Sequence, residues 1–280
     1  MAGCDSGSSS SSSSVPPKPS GQSVAVLATV QPLADLAERV GGQWVAAEWV
    51  IESGQRPEEL ETTPDLRQRA NKAALVITSG PWDTWAVAEL SPEARSTRVI
   101  EPDHMGMARG ADRSSYLWLD PAVMREMVET LRVRLTVIDP AHDADYRSAA
   151  KAYTGEVDAV DEAWRVALAG QRGRKLLVVR PVWGALCARY GLRQVAPVGA
   201  VEEKLSSDDL KELARAGKEA GCKWVVVDLT TTAGVRQRIE EKTGLATMTL
   251  DAMGSSAADG RNTWQKVMKY NLEQVRKAIE

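Results

Sequence analysis

The sequence predicts an α/β protein of two lobes, each a mostly parallel sheet flanked by helices, joined by a long spine helix. Three observations predict this: apolar runs recur at βα spacing, they fall into an early and a late group, and a long helical pattern separates the groups. The early runs are VAVLATV (24–30), WVAAEWVI (44–51), AALVITS (73–79) and TRVIEP (97–102). The late runs are KLLVVR (175–180), QVAPV (194–198), KWVVVD (223–228) and ATMTLD (246–251). Most are unbroken rather than alternating, as strands covered on both faces of a parallel sheet are.

Between the groups lie two helical patterns. The first opens at Asp120-Pro121, with Asp as N-cap and Pro at the first helical position. It carries Met124, Met127, Val128, Leu131, Leu135 and Ile138 on one face. The second runs from about Ala141 to Leu168, with Tyr146, Ala149, Ala150, Tyr153, Val157, Val160 and Trp164 at steps of three or four. At 1.5 Å per residue it reaches about 40 Å, the span of two lobes side by side. Its stripe is not a sustained heptad, which argues against an exposed coiled-coil arm. SSDDLKELARAGKEAG (206–221) reads as a capped amphipathic helix with a solvated charged face. The expected organisation is a tether over 1–22, an N-terminal lobe over 23–140, the spine over 141–170 and a C-terminal lobe over 171–280.

Of 280 residues, 43% are hydrophobic and 26% charged, enough for a core without disulfides or a structural metal. A net charge of −3 supplies no basic surplus, so nucleic acid is not an expected partner. Large aromatic volume comes mainly from nine Trp, since Phe is absent. Cys4, Cys187 and Cys222 show no zinc-finger or CxxC spacing, and the last two read as small hydrophobes. No apolar stretch reaches the ~20 residues of a membrane-spanning helix. No phosphate loop, G-x-S-x-G or H-E-x-x-H is present, so no enzyme is expected.

The start, MAGCDSGSSSSSSSVPPKPSGQ, resembles the end of a bacterial lipoprotein signal, although the apolar segment that should precede it is absent. The resemblance implies lipidation at Cys4 and a flexible Ser/Pro tether to the folded body. The expected location is therefore extracytoplasmic and anchored to the cell membrane.

In open α/β sheets ligands bind beyond the carboxyl ends of strands, which directs attention to the segments after AEWVI, ITS, VIEP, VVR, VVD and MTLD. In order and spacing these segments resemble the zinc/manganese-binding, solute-binding lipoproteins of bacterial ABC transporters (the ZnuA/TroA-like, cluster A-I family). RPEELETTP matches that family's P-H-x-Y-E-P-T-P loop, YLWLDP its H-V-W-L-D-P, and RPVWGALCARYGL its H-D-A-F-G-Y-F-x-x-x-Y-G-L. MTLDAMGSS and MKYNLEQVRKAI match its closing strand, loop and helix, so the likeness runs from about Ser23 to Glu280. It implies a monomeric protein that delivers zinc or manganese to a membrane permease.

The resemblance also marks where the chain departs. The family's metal positions fall on Glu58, Tyr116, Arg180 and Asp251, and only the last keeps the family's acidic residue. Histidine occurs only twice in the chain, so the His-rich loop of many zinc members is missing too. Metal sites need deprotonated N, O or S donors converging at about 2.0–2.3 Å. Guanidinium has no free lone pair and stays protonated, so Arg180 argues against zinc or manganese bound in the family manner.

The leading expectation is that Arg180 takes the metal's place and forks its N–H donors to Glu58 and Asp251, with Tyr116 lining the cluster. An alternative is that Arg180 grips an anionic organic solute between Trp82, Trp85, Trp118 or Trp183. A third is a relocated copper-type site at His104, Met105 and Met107. His142 reads as a surface residue remote from the cleft. Two roles remain open: a solute-binding component of an importer, and a non-transporting lipoprotein that uses the scaffold for adhesion or regulation.

Overall fold

The computed structural model describes residues 23–52, 55–80, 83–86, 90–102, 116–199, 201–254 and 260–279. Cys4, Trp82, His104, Met105 and Met107 lie outside them. The N-terminal sheet orders its strands β2-β1-β3-β4: β1 (Val24–Ala28), β2 (Val45–Trp49), β3 (Leu75–Ile77) and β4 (Val99–Ile100). All pairings are parallel, with Val24 opposite Val45, Val26 opposite Leu75 and Val76 opposite Val99. The crossovers are α1 (Gln31–Gly41), α2 (Pro64–Lys72) and α3 (Pro92–Arg98). Thr63 and Ser91 cap the last two by accepting from Leu66 and Ala94 backbone N–H groups.

The C-terminal lobe pairs β5 (Lys175–Leu177) with β6 (Arg193–Val195), and β7 (Trp224–Asp228) with β8 (Ala246–Leu250), again in parallel. A parallel bridge between Val178 and Val226 joins the two pairs edge to edge. Its helices are α6 (Gly184–Arg189), α7 (Ser207–Ala220), α8 (Ala233–Thr243) and α9 (Trp264–Ile279). Helix α7 opens on a capping box in which Ser206 and Asp209 satisfy each other's backbone N–H groups. Gly217 lets this helix lie close to the sheet, because a Cβ there would stand 2.7 Å from Leu245 Cδ1.

Helix α4 (Pro121–Ile138) begins at the Asp120 cap, where the carboxylate accepts from Ala122 N–H at 2.8 Å. Met124, Met127, Val128, Leu131 and Leu135 are buried, whereas Ile138 is 42% exposed because the stripe has rotated out of the core by the last turn. Helix α5 (Asp143–Ala167) follows with 25 residues, which makes it about 37 Å long. A short turn over Pro140–His142 takes up the first residues expected of this helix. The buried stripe Tyr146, Ala150, Tyr153, Val157 and Trp164 packs on α1, α4 and α9.

One apolar cluster runs through both lobes, from Val26 and Leu36 through Tyr153 and Trp164 to Val226 and Leu250. Smaller satellites lie under α7 and α8 and around Trp85. His142 is half-buried rather than freely exposed, stacked on Trp44 at 3.5 Å between ring centroids, with Nδ1 2.6 Å from Asp139. Cys187 is buried and Cys222 half-buried, both as free thiols. No helix among the described residues is long and apolar enough to cross a membrane.

Candidate functional site

Pro57 initiates a single helical turn, Pro57–Glu59, and this turn presents Glu58 toward the C-terminal lobe. Tyr116 precedes the turn Leu117–Leu119, and its backbone N–H donates to Val182 O at 2.9 Å, which ties its position to the other lobe. Arg180 follows the extended run after β5 and precedes the Pro181–Trp183 turn. Asp228 ends β7, where Oδ1 accepts from Thr230 N–H and Oγ–H, leaving Oδ2 for another donor.

These residues form one cluster. The Arg180 side chain is 5% exposed and donates to Glu58 Oε1, to Asp228 Oδ2 at 3.0 Å and to the Tyr116 hydroxyl at 2.6 Å. Tyr116 in turn donates to Glu58 Oε2 at 3.0 Å. Its ring is fully buried against Trp118, with centroids 4.5 Å apart. Burial raises the Tyr116 phenol, and Glu58 adds to the rise against the pull of Arg180, so the group is a neutral hydroxyl and not a phenolate donor. For Arg180 burial works against the cation, but Tyr116, Glu58 and Asp228 outweigh it and hold the guanidinium above its ordinary value.

A second ion pair continues the cluster. Arg56, two residues before Glu58, donates to Glu202 at 3.4 Å and to Glu203 at 3.2 Å. Glu202 is 1% exposed and accepts from the Asp228 backbone N–H at 3.0 Å. A ring results: Arg56, Glu202, Asp228, Arg180 and Glu58, closing through the loop that carries Arg56 and Glu58. Two cations and three carboxylates share the lobe junction, and the Glu202 to Asp228 link runs through the Asp228 backbone N–H rather than through an ion pair.

Glu58, Tyr116 and Arg180 are thus brought together, and Asp251 is not the second carboxylate on Arg180. Asp251 accepts from Arg261 Nε at 2.9 Å, and its other oxygen accepts from Met253 and Gly254 N–H at 3.0 and 2.9 Å. Asn271 pins its backbone on both sides. Both carboxylate oxygens are committed within their own loop, so Asp228 takes the fork instead. Burial raises the Asp251 carboxyl, although Arg261 and the backbone donors pull it down.

Arg56, Asp228 and Glu202 were not singled out by sequence reasoning. For Asp228 a signal existed, since it closes VVD at a strand's carboxyl end; Arg56 and Glu202 lie in loops with no such marker. Among the described residues, Trp85, Trp118 and Trp183 do not form an open wall. Trp118 and Trp183 are buried in the main core, and Trp85 packs with Leu27, Leu66 and Val76. Among the described residues no three His, Cys, Asp or Glu side chains converge as a metal cage.

Two parallel α/β lobes on a single long helix, with polar side chains meeting at the strands' carboxyl ends, define a two-lobed binding-protein scaffold. Comparison with known proteins gives the family. Residues 26–278 match zinc-uptake complex component A, periplasmic (ZnuA), and the chain belongs to that family. It is 20% identical to the zinc-binding lipoprotein AdcA of Streptococcus pneumoniae, over 91% of this chain and 56% of that protein. It is also 20% identical to the metal ABC transporter substrate-binding lipoprotein ScbA of Streptococcus cristatus, over 91% of this chain and 88% of that one. The chain thus spans about half the length of AdcA. The fold overlays the crystal structure of the Zn(II)-bound ZnuA-like domain of Streptococcus pneumoniae AdcA with a TM-score of 0.78, at 19% identity, covering 92% of this chain and 99% of that domain.

Proposed function

We propose that this chain is an extracytoplasmic, lipid-anchored member of the metal-importer binding proteins in which an internal ion pair stands where the cargo ion would bind. The observation that carries this reading is the Arg180 guanidinium, buried and held by Glu58, Tyr116 and Asp228. A divalent cation entering there meets a fixed positive charge, a neutral phenol and carboxylates already engaged. Removing Arg180 from this setting strands two carboxylates, so the cation has no inexpensive way to leave. Cys4 would carry the lipid, and an ABC permease remains the partner that the family relationship suggests.

Isothermal titration of the chelator-treated chain with zinc and with manganese tests the reading. The expected result is no saturable heat for either metal. Tight one-to-one binding of either ion would overturn it.

A second reading is that the scaffold takes an anionic organic ligand. It is favoured by the Arg56 Nε, which is buried with no acceptor among the described residues and so offers a spare donor beside the cluster. On that reading small carboxylates raise the melting temperature of the wild type and leave that of Arg56→Met unchanged.

A further inference from the structure

The opposite end of the C-terminal sheet holds a feature with different chemistry. Lys175 begins β5 and Lys223 immediately precedes β7, so both stand at the amino ends of strands whose carboxyl ends approach Arg180. The run from Lys223 to Asp228 places about 17 Å between the two ends. Here a cavity of about 440 Å³ is lined by Arg174, Lys175, Lys223 and Lys277, with Gly221, Cys222, Trp224 and Ile279 completing its wall. Among the described residues no carboxylate lines it.

What sets these cations apart is that they share one recess. Several arginines of exposed helix faces are ion-paired, as in Arg39 with Glu156, Arg125 with Asp158 and Arg215 with Glu212. Lys175, Lys223 and Lys277 have no ion pair among the described residues. Arg174 is fixed at the rim, donating from Nη2 to Ile279 O at 3.1 Å and from Nε to Gln171 at 3.2 Å. Three chain segments far apart in sequence therefore bring four cations to one concavity in a protein of net charge −3. Ordinary surface lysines avoid such concentration, because like charges sharing a recess repel and gain nothing until an anion arrives.

We infer that this recess is an anion site for a phosphate-bearing ligand. Three ammonium groups act as point charges that match phosphate oxygens, and Arg174, oriented by its two existing bonds, adds a planar donor at the rim. Trp224 and Ile279 supply an apolar wall for whatever the phosphate is attached to. The site is independent of the Arg180 cluster and does not depend on whether a metal binds there.

Titration of the full chain with inorganic pyrophosphate at low salt tests this, alongside the variant Lys175→Gln/Lys223→Gln/Lys277→Gln. All three lysines are exposed, so the variant is expected to melt with the wild type. Saturable one-to-one binding that weakens about tenfold or more in the variant is the expected outcome, since losing charge-assisted contacts removes most of the attraction. No saturable binding, or equal affinity in the variant, would overturn the site. Co-sedimentation with phosphatidylglycerol vesicles, and not with phosphatidylcholine, in a form that pyrophosphate displaces would identify a lipid headgroup as the source. Pyrophosphate binding without vesicle binding would identify a soluble phosphate.

Discussion

Two junctions between the lobes of this protein are made of different materials. Beside the spine helix the contact is apolar and indole-rich. Trp118 Nε1 donates to Ala252 O at 2.8 Å, Trp264 Nε1 to Trp118 O at 2.7 Å and Trp164 Nε1 to Met268 O at 3.2 Å. All three rings are fully buried, and every indole N–H has a backbone acceptor. At the strands' carboxyl ends the contact is ionic, built from Arg56, Glu58, Arg180, Glu202 and Asp228. The frame that aims side chains into the junction matches the family, whereas the groups aimed there carry different chemistry. Frame and site are separable: a scaffold keeps its packing while its chemistry is replaced.

The largest effect is expected where the frame is broken. Trp118→Ala removes a fully buried indole, opens a cavity beneath Tyr116 and leaves Ala252 O without its donor. Large-to-small changes of this kind cost about 3–5 kcal/mol. Urea unfolding should show a lower midpoint with an unchanged slope. A loss below about 1 kcal/mol would mean that the indole junction does not hold the lobes.

Next in size is Arg180→Met, which leaves Glu58 and Asp228 without their shared cation. Breaking a buried pair costs about 3–5 kcal/mol, and the lower end applies because the Glu58 side chain is 27% exposed and can hydrate. Pairing the change with Glu58→Gln should recover part of the loss, with a coupling of about 1–3 kcal/mol in a double-mutant cycle. Additive losses would show that the ionic junction is not a junction energetically.

The sequence was more informative about the frame than about the site. Unbroken apolar runs, the Asp120-Pro121 cap and the stripe from Tyr146 to Trp164 each report a local rule, periodicity or capping, that holds whatever surrounds it. The Arg180 cluster is a long-range object. Glu58 and Tyr116 were placed by resemblance, and charge alone made a carboxylate fork on Arg180 reasonable. Which carboxylate serves depends on what else competes for it. Arg261, ten residues after Asp251, claims that side chain, and no spacing rule forecasts such a competition. Arg56 and Glu202 pair across 146 residues of sequence, beyond the reach of any motif.

A smaller effect tests the edge between the junctions. Asp35 on α1 accepts from the Trp264 backbone N–H at 3.1 Å and from the Tyr153 hydroxyl at 3.4 Å, joining α1, α5 and α9. Burial raises its carboxyl from 3.8 to about 6, although these donors and Arg39 resist. The folded chain therefore holds a proton that the unfolded chain releases. The resulting stability is complete below about pH 4 and is lost as pH rises through about 6, a change of at most about 3 kcal/mol. Denaturation of wild type and Asp35→Asn at pH 4 and pH 7 isolates it. The difference between the two proteins should depend on pH over this window, and a constant difference would remove Asp35 as its source.

The smallest effect comes from the same pairing chemistry moved to solvent. Arg215 on α7 binds Glu212 and Glu219, much as Arg180 binds Glu58 and Asp228, yet its side chain is 57% exposed. In water each partner is already well solvated, the long side chains lose freedom on pairing, and salt screens what attraction remains. Helix α7 is held by Leu210 and Leu213 against the sheet and by its capping box, and Arg215 contributes to neither. Arg215→Ala is therefore expected to leave the melting temperature unchanged at physiological salt, while Arg180→Met lowers it under the same conditions. Equal shifts from the two would show that burial at the junction adds nothing to an ion pair, and the ionic contact between the lobes would then be ordinary surface charge.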